Sequence, residues 1–321
     1  MQSEDISALK ALKEFAKQLL INKVPWHERT TLLRAQALEA RLSMSDKEIM
    51  AIVADARKEN RGETNGINQG EEIYIPDEKW AWDNIIASNT FNLVVALQKV
   101  GKSAFISGFI SSWKYGTGDF LDNKIHDKCP PVIIAGTDQN LGDWKEILVP
   151  AGLMKRLGNN KYEILDPVKK LWHRGNPIHF DDQGIETLTS EANKYKGQSP
   201  LIFADAYSCL VSPLGLNEAL PEAAEPNHSL CEAFEDSGAT LVLLHHASKS
   251  RSHERASNAS RGGNALSAAA SQIIQLHWLN EENKSDQRIA LTTEGRNSKP
   301  VDLVIEQIDR SQYISHGSKA D

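Results

Sequence analysis

The chain has 321 residues, of which 40% are hydrophobic and 25% are charged. This mixture can fill a core and is too apolar for a disordered chain, and the length suits about two domains. Lysine and arginine number 36 against 43 aspartate and glutamate, so the formal net charge is −7 and bulk attraction to nucleic acid is excluded. A nucleic-acid partner would need a local basic patch.

Membrane insertion and secretion are not expected. The apolar runs are far shorter than the roughly 20 residues of a membrane helix. The opening sequence, MQSEDISALK, lacks the basic and apolar regions of a signal peptide. Cys129, Cys209 and Cys231 have no CxxC spacing, which argues against a disulfide framework or a zinc site. We therefore expect a cytoplasmic protein.

Residues 1–59 are predicted to form a small helical domain. Pro25 separates its first helix from its second. The third helix is preceded by a capping box, Ser45 followed by Glu48, ahead of an apolar stripe at helical spacing. Residues 60–77 are rich in glycine and polar side chains and are predicted to be a linker.

Residues 78–321 are predicted to form an α/β domain. Short apolar runs, typical of strands buried on both faces of a parallel sheet, alternate with helical stretches. The predicted strands are 92–96, 131–136, 201–204, 239–245, 272–277, 288–293 and 301–307. The predicted helices are 102–113, 141–157 and 216–236. The short connection between the last two strands is compatible with antiparallel pairing.

A phosphate-binding loop is predicted directly after the first of these strands. The stretch ALQKVGKS, from Ala96 to Ser103, matches GxxxxGK[ST] at every position except the first. In such a loop the lysine, here Lys102, neutralises phosphate oxygens, and the hydroxyl, here Ser103, holds Mg²⁺. The predicted nucleotide-binding residues are Gln98, Lys99, Val100, Gly101, Lys102, Ser103 and Ala104. The alternative is a solvated turn with an incidental lysine.

Two carboxylates follow buried strands. Asp205 ends PLIFAD and is predicted to hold the water shell of the metal, with a helix or turn cap as the alternative. Asp138 follows PPVIIAG and is the candidate for orienting or deprotonating the attacking water, with an N-cap as the alternative. Ligands of open α/β sheets bind at the carboxyl ends of the strands, so both carboxylates would lie near the phosphate loop.

Paired histidines end another predicted strand. Successive strand residues face opposite ways, so only one of His245 and His246 can face the nucleotide. Adjacent strand residues chelate one ion poorly. A neutral donor to the γ-phosphate is therefore favoured over a metal ligand, and a core histidine is the alternative.

The strongest local positive excess follows this strand, in SKSRSHERASNASRGG, residues 248–263. Its predicted nucleic-acid-binding residues are Lys249, Arg251, Arg255 and Arg261. Positive charge and flexible hydroxyls favour sequence-independent binding of a phosphate backbone. The segment has no aromatic residue for base stacking, and a solvated loop is the alternative.

These parts follow the order found in a known family. From about Trp82 to Ile308 the chain resembles the RecA-like ATPase core of hexameric replicative helicases, both the bacterial DnaB type and the plasmid RepA type. The matching segments are GKSAF (101–105), PLIFAD (200–205), LVLLHHASK (241–249), SRGGNALSAAASQIIQL (260–276) and IALTTEGRNSKPVDLVI (289–305). The resemblance implies a RecA-like P-loop NTPase core with a mostly parallel central sheet, preceded by the helical domain.

The resemblance also implies roles for single residues. It makes His246 the γ-phosphate sensor and Arg296 the arginine finger that completes the site of a neighbouring subunit. Asp138 stands where the family has a catalytic glutamate. Ala96 replaces the first glycine of the phosphate loop, and Glu294 stands where the finger motif has lysine. These departures concern the rate of hydrolysis more than the binding of nucleotide.

The expected function is that of an ATP- and Mg²⁺-dependent DNA helicase or translocase that acts in replication as a ring on single-stranded DNA. A homohexamer is expected, with the helices of residues 1–59 available to a replication partner. One alternative is a DNA-dependent ATPase that loads or remodels without unwinding. Another is a nucleotide-gated scaffold with little hydrolysis, and a phosphotransferase is less favoured because no second-substrate lid is evident.

Overall fold

A computed structural model describes residues 3–22, 24, 26–60, 69–72, 79–216, 224–248, 255–258, 265–283 and 285–318. The chain divides into two compact units, Met1–Pro76 and Asp77–Asp321. Within the described ranges, no helix combines the length and the apolar character needed to cross a bilayer. Of the predicted linker, 60–77, the structure describes residues 60 and 69–72.

The first unit is helical. Its helices are α1 (Ser3–Ile21), α2 (Trp26–Glu39) and α3 (Asp46–Asn60). They bury a shared apolar core in which Leu12, Leu33 and Ile49 are almost fully enclosed. The predicted capping box is present before α3, because the Glu48 carboxylate accepts from the Ser45 N–H at 2.7 Å and Ser45 Oγ accepts from the Glu48 N–H at 3.4 Å.

The second unit is α/β. Its elements in chain order are β1 (Trp80–Trp82), β2 (Ile86–Ala87), β3 (Phe91–Ala96), α4 (Lys102–Tyr115), β4 (Asp119–Phe120), β5 (Asn123–Lys124), β6 (Val132–Gly136), α5 (Leu141–Leu148), β7 (Met154–Gly158), β8 (Lys161–Ile164), β9 (Val168–His173), α6 (Asp182–Asn193), β10 (Leu201–Ala204), α7 (Tyr207–Val211), α8 (Glu225–Phe234), β11 (Thr240–His246), α9 (Ala265–Ala269), β12 (Gln272–Trp278), β13 (Arg288–Gly295), β14 (Asp302–Asp309) and β15 (Gln312–Ser318).

A nine-stranded sheet organises this unit, in the order β15-β14-β13-β12-β3-β11-β10-β6-β9. Neighbours from β12 through β9 pair in parallel, and β12 to β15 pair antiparallel. Every residue of β3, β6 and β10 is buried, as their continuous apolar runs predict. The predicted α/β fold with a mostly parallel central sheet is confirmed.

Aromatic packing holds α4 against the sheet. The Trp82 ring lies 5.1 Å from both Phe109 and Phe120 and 5.9 Å from Phe105, centroid to centroid. These rings belong to one core with Val94 of β3. Because aromatic side chains contribute large buried areas, this cluster fixes the start of α4 relative to the end of β3.

Two sequence-based helices are corrected. The helix predicted over 141–157 ends at Leu148, and the chain then forms the β7–β8 hairpin. Pro150 explains the end, because proline has no N–H to donate to the carbonyl four residues earlier and its ring clashes with that carbonyl. Of the helix predicted over 216–236, the structure has Glu225–Phe234 followed by a 3₁₀ turn, and residues 217–223 lie outside the described residues.

Two strands of the nine-stranded sheet have no counterpart in the sequence prediction, nor do the short strands of the three small sheets, β1, β2, β4, β5, β7 and β8. The two in the nine-stranded sheet are β9 and β15, and they lie at its two edges. Edge strands are half-exposed, so neither forms a continuous apolar run; β9 buries only Val168 and Trp172.

Candidate nucleotide-binding site

The phosphate loop joins the carboxyl end of β3 to the amino end of α4. Lys99 has φ of 68° and Gly101, the residue preceding the helix, has φ of 90°. Backbone that enters the left-handed region in this way forms concave turns that bind anions through N–H groups. Gly101 suits this conformation because it has no Cβ. Val100 is buried beneath the turn.

Lys102 is a buried cation inside this turn. Its side chain is only 7% exposed, and its Nζ lies 3.4 Å from the carbonyl oxygens of both Ala96 and Leu97 and 3.1 Å from Nδ1 of His246. Burial lowers the pKa of Lys102, and the nearby carboxylates of Asp205 and Asp138 oppose that shift. A partly desolvated ammonium whose direct contacts are two carbonyl oxygens and an imidazole nitrogen is well placed to bind an anion.

Ser103, Asp205 and Gln139 converge next to this lysine. Ser103 Oγ donates a short hydrogen bond to the Asp205 carboxylate. Gln139 Nε2 lies 2.6 Å from Ser103 Oγ and 2.9 Å from Asp205 Oδ2. Asp205 is 1% exposed, and burial raises its pKa while the hydrogen bonds from Ser103 and Gln139 oppose the rise.

The oxygens of this group suit magnesium. Mg²⁺ prefers hydroxyl, carboxylate and phosphate oxygens and keeps several waters. In the part of the chain that the structure describes, there is no cluster of three or more histidine, cysteine, aspartate or glutamate side chains arranged for a metal. A magnesium ion held by Ser103 and Asp205 would therefore complete its shell with nucleotide oxygens and water.

Asp138 lies beside this group but has different neighbours. Its Oδ1 accepts from Cys209 Sγ at 3.2 Å and lies 4.0 Å from Arg174 Nη2. Its backbone N–H donates to the Asp205 carbonyl at 3.1 Å, which ties the two strand ends together. The N-cap alternative is wrong, because Asn140 caps α5. Nor does Asp205 cap a helix, because α7 begins after Ala206 with no side-chain cap.

The two histidines at the end of β11 face opposite ways. His246 lies on the side of Lys102. His245 is 1% exposed and packs edge to face on Tyr207, with 5.6 Å between ring centroids. The alternation of a strand thus gives one histidine to the phosphate loop and the other to the opposite face.

A cavity of about 700 Å³ lies beside the phosphate loop. It is lined by Leu97, Gln98, His246, Ala247, Ser248, Trp278 and Glu281. The cavity therefore lies between the first half of the phosphate loop and the start of the basic segment. Trp278 is partly exposed and places an aromatic ring here, although the basic segment itself has none.

The basic segment is described only in part. Arg255 is exposed, and Lys249, Arg251 and Arg261 lie outside the described residues. The backbone N–H of Ser257 donates to Glu294 Oε2 at 3.1 Å. Glu294, which stands where the resemblance expects lysine, thus ties residues 255–258 to β13.

Arg296 lies near the amino ends of the parallel strands, away from the carboxyl ends where the phosphate loop lies. The adjoining residue, Gly295, pairs with Gln272 at the amino end of β12, whereas the phosphate loop follows the carboxyl end of β3. Arg296 Nη2 donates to the Ala268 carbonyl at 2.7 Å, and the residue is exposed. The structure therefore brings together Lys102, Ser103, Asp205 and His246 of the predicted site, with Asp138 beside them, but not Arg296.

Sequence reasoning missed Gln139 and Arg174. Gln139 stands one residue after Asp138, and the sequence alone does not tell which of two adjacent turn residues faces the phosphate loop. Arg174 follows the edge strand β9, which the sequence does not predict. The signal for Gln139 is its place in the turn after the apolar strand β6, whereas Arg174 follows a strand that has no continuous apolar run and so gives no such signal.

No protein-family model and no curated protein matches the chain. Among solved structures, the chain is similar to an ATPase domain with a TM-score of 0.51 and 11% identity, over 85% of this chain and 99% of that domain. A KaiC-like protein from the hyperthermophilic archaeon Pyrococcus horikoshii OT3 gives a TM-score of 0.45 and 13% identity, over 72% of this chain and 91% of that one. At these identities the likeness concerns the fold. The chain has a RecA-like fold, and the resemblance drawn from its motifs is confirmed at the level of the fold.

Proposed function

We propose that the protein is a Mg²⁺-dependent ATP hydrolase that works as a ring on single-stranded DNA, as a helicase or translocase in replication. The observation that carries this proposal is the convergence of Lys102, Ser103 and Asp205 at one edge of the sheet. The phosphate loop and β10 supply these groups, and the basic segment leaves the same edge after β11.

Nucleotide binding begins with the turn around Gly101. The Lys102 ammonium leaves the carbonyls of Ala96 and Leu97 and binds β- and γ-phosphate oxygens. These oxygens replace the water that the buried ammonium has lost. Ser103 and Asp205 would hold the magnesium ion. Mg²⁺ in such a site neutralises phosphate charge and orients the nucleotide.

Water activation falls to Asp138. Its carboxylate is kept in place by Cys209 and by the nearby Arg174, so it can orient the attacking water and accept its proton. His246 connects the proposed nucleotide site with the proposed DNA-binding segment. It contacts Lys102 at the nucleotide, and it lies three residues before Lys249, the first basic residue of the DNA-binding segment.

The position of Arg296 supports the proposal of a ring. Arg296 lies at the edge opposite the phosphate loop, so it would serve the nucleotide site of a neighbouring subunit rather than its own. Head-to-tail contacts of this kind close into rings, and we propose a homohexamer. Residues 1–59 would recruit a replication partner, with 60–77 as the linker to the ATPase domain at 78–321. Its cysteines are free thiols, which suits the reducing cytoplasm in which we place it.

The test is ATP hydrolysis with and without single-stranded DNA. We expect hydrolysis stimulated several-fold by DNA, together with strand displacement on a fork tailed at either its 5′ or its 3′ end. Lys102→Ala should weaken ATP binding by at least about 100-fold, since hydrogen bonds to charged groups are each worth about 1.5–3 kcal/mol.

Lys196→Ala is the matched control, because it removes an exposed lysine from the turn before β10 and should leave hydrolysis unchanged. Equal hydrolysis by Lys102→Ala and the unsubstituted chain would overturn the assignment of the site.

A second candidate is a nucleotide-gated scaffold that binds ATP and scarcely cleaves it. One observation favours it: the Asp138 carboxylate already accepts from Cys209, which lessens its capacity as a base. This candidate predicts tight ATP binding with negligible turnover at every DNA concentration, whereas the motor predicts turnover that rises with DNA.

A further inference from the structure

Gln139 makes the closest contacts with the residues proposed to hold magnesium. Its Nε2 lies 2.6 Å from Ser103 Oγ and 2.9 Å from Asp205 Oδ2. An ionised carboxylate only accepts hydrogen bonds, so the amide must direct its NH₂ group, and not its oxygen, toward Asp205. Ser103 Oγ donates to the same carboxylate and accepts from the amide. The three side chains thus satisfy one another.

This arrangement suits a site without a cation. The NH₂ group carries the positive end of the amide dipole, and it lies against the carboxylate and hydroxyl that a magnesium ion would share. A cation bound there would repel the partial positive charge on the two amide hydrogens. Rotation of the amide about its terminal torsion, which is soft and roughly two-fold, exchanges nitrogen for oxygen at little cost.

We propose that Gln139 is a magnesium-responsive positioning residue. Its amide donates to Ser103 and Asp205 before magnesium binds, and it turns its Oε1 toward the water shell of the ion when Mg-nucleotide is bound. This inference rests on the proposed nucleotide site and adds a residue that neither the phosphate-loop motif nor Asp138 supplies. Partners in the outer shell of a metal commonly set its affinity in this way.

The backbone around Gln139 is held on both sides, so the side chain can turn alone. Thr137 Oγ1 donates to the Ile178 carbonyl at 2.8 Å. Asn140 forms a capping box with Asp143 at the start of α5. Gln139 therefore acts on the metal position without moving Asp138, and the two residues can be tested separately.

The experiment measures the Mg²⁺ concentration that gives half-maximal binding of a fluorescent ADP analogue to the full chain. Gln139→Glu offers only acceptor oxygens, so we expect it to lower this concentration several-fold. Gln139→Met keeps the length but loses both hydrogen bonds, and we expect it to raise the concentration by about tenfold. Gln198→Glu, an exposed glutamine before β10, is the matched control for the change in charge and should bind as the unsubstituted chain does.

A thermal measurement gives a second readout. With EDTA, Gln139→Glu should melt below the unsubstituted chain, because two carboxylates then lie together in a buried site. Mg²⁺ with ADP should raise its melting temperature by more than that of the unsubstituted chain. If Gln139→Met fails to fold, the nearly isosteric Gln139→Glu still decides the question.

The outcomes separate the two proposals. If the unsubstituted chain binds no Mg-nucleotide at any Mg²⁺ concentration, the proposed function itself fails. If it binds, and both Gln139 variants shift the Mg²⁺ requirement in the same direction or not at all, the amide is a structural brace and the inference fails alone.

Discussion

The carboxyl ends and the amino ends of the strands in the central sheet hold their polar groups in different ways. At the carboxyl edge of the parallel strands, Lys102 and Asp205 are buried, and their contacts are with other side chains and strand-end carbonyls. At the amino edge, Arg296 is exposed and its guanidinium donates to a backbone carbonyl of α9. The first arrangement is desolvated before any ligand arrives, whereas the second is open to solvent.

This difference teaches how a nucleotide site can be divided between subunits. Buried charges must be in place when the chain folds, because leaving one unpaired is costly. An exposed arginine can keep its hydration until another surface meets it. In the proposed ring, the carboxyl ends of the parallel strands would act within a subunit, and the amino ends would act between subunits.

The largest effect that would test this division is expected at Arg296. Arg296→Ala should lower the rate of ATP hydrolysis by about 1000-fold, because an arginine finger is worth about 10³–10⁵ in kcat. ATP affinity should stay nearly unchanged, since Arg296 lies away from the site of its own subunit. Steady-state hydrolysis and equilibrium binding of a fluorescent ATP analogue measure the two quantities.

Mixing subunits sharpens the same test. Arg296→Ala subunits keep an intact phosphate loop, and Lys102→Ala subunits keep the arginine. A mixture should regain part of the activity that each variant lacks alone. Absence of rescue at every mixing ratio would contradict action between subunits.

A smaller effect is expected from pH at the carboxyl edge. Burial lowers the pKa of Lys102, and only its protonated form binds phosphate strongly, so ATP affinity should fall as pH rises through that lowered value. Burial raises the pKa of Asp205, and only its ionised form holds magnesium, so Mg²⁺-dependent affinity should fall as pH drops through that raised value. Each limb should approach about tenfold per pH unit.

Calorimetric titrations of Mg-ATP across pH would measure both limbs. Asp205→Asn should remove the acid limb and leave the alkaline one. An acid limb that persists in this variant would mean that another group titrates there.

The smallest effect concerns the basic segment. Replacing Lys249, Arg251 and Arg255 with alanine should reduce the slope of log affinity for single-stranded DNA against log salt by about 2, since each phosphate contact contributes about 0.7. Fluorescence anisotropy with a labelled oligonucleotide measures the slope. The control is the same change at Lys155, Arg156 and Lys161, which are exposed on the β7–β8 hairpin. Equal slopes for both triple variants would remove the basic segment from the DNA interface.

The buried part of the fold could be predicted from the sequence. Strands such as β10 can be recognised in the sequence, because burial on both faces requires a continuous apolar run. The bounds of β10 are Leu201–Ala204 in both prediction and structure. The edge strands β9 and β15 could not be predicted, since half of each faces solvent. The helix predicted over 141–157 is too long because apolar residues continue past Leu148, whereas Pro150 cannot continue the helical hydrogen bonds.

For the site, chain position indicated which residues follow strands but not which way they face. Asp205 could be chosen because it follows a buried strand, whereas the choice of His246 over His245 rested on the resemblance to the helicase family. In the turn after β6, Asp138 and Gln139 are adjacent, and their directions depend on Cys209 and Ser103, which are distant in sequence. Only the folded chain shows that the Gln139 amide, and not the Asp138 carboxylate, contacts Ser103.

A consequence for sequence evolution follows from Gly136, the last residue of β6. A Cβ atom at this position would overlap the indole of Trp144, whose Nε1 donates to the Gly136 carbonyl at 3.1 Å. The indole of Trp144 fills the space that a side chain at position 136 would need, so a larger residue at 136 requires a smaller one at 144. Among homologues, glycine at the first position should covary with a large aromatic residue at the second, and alanine at the first should accompany a smaller ring.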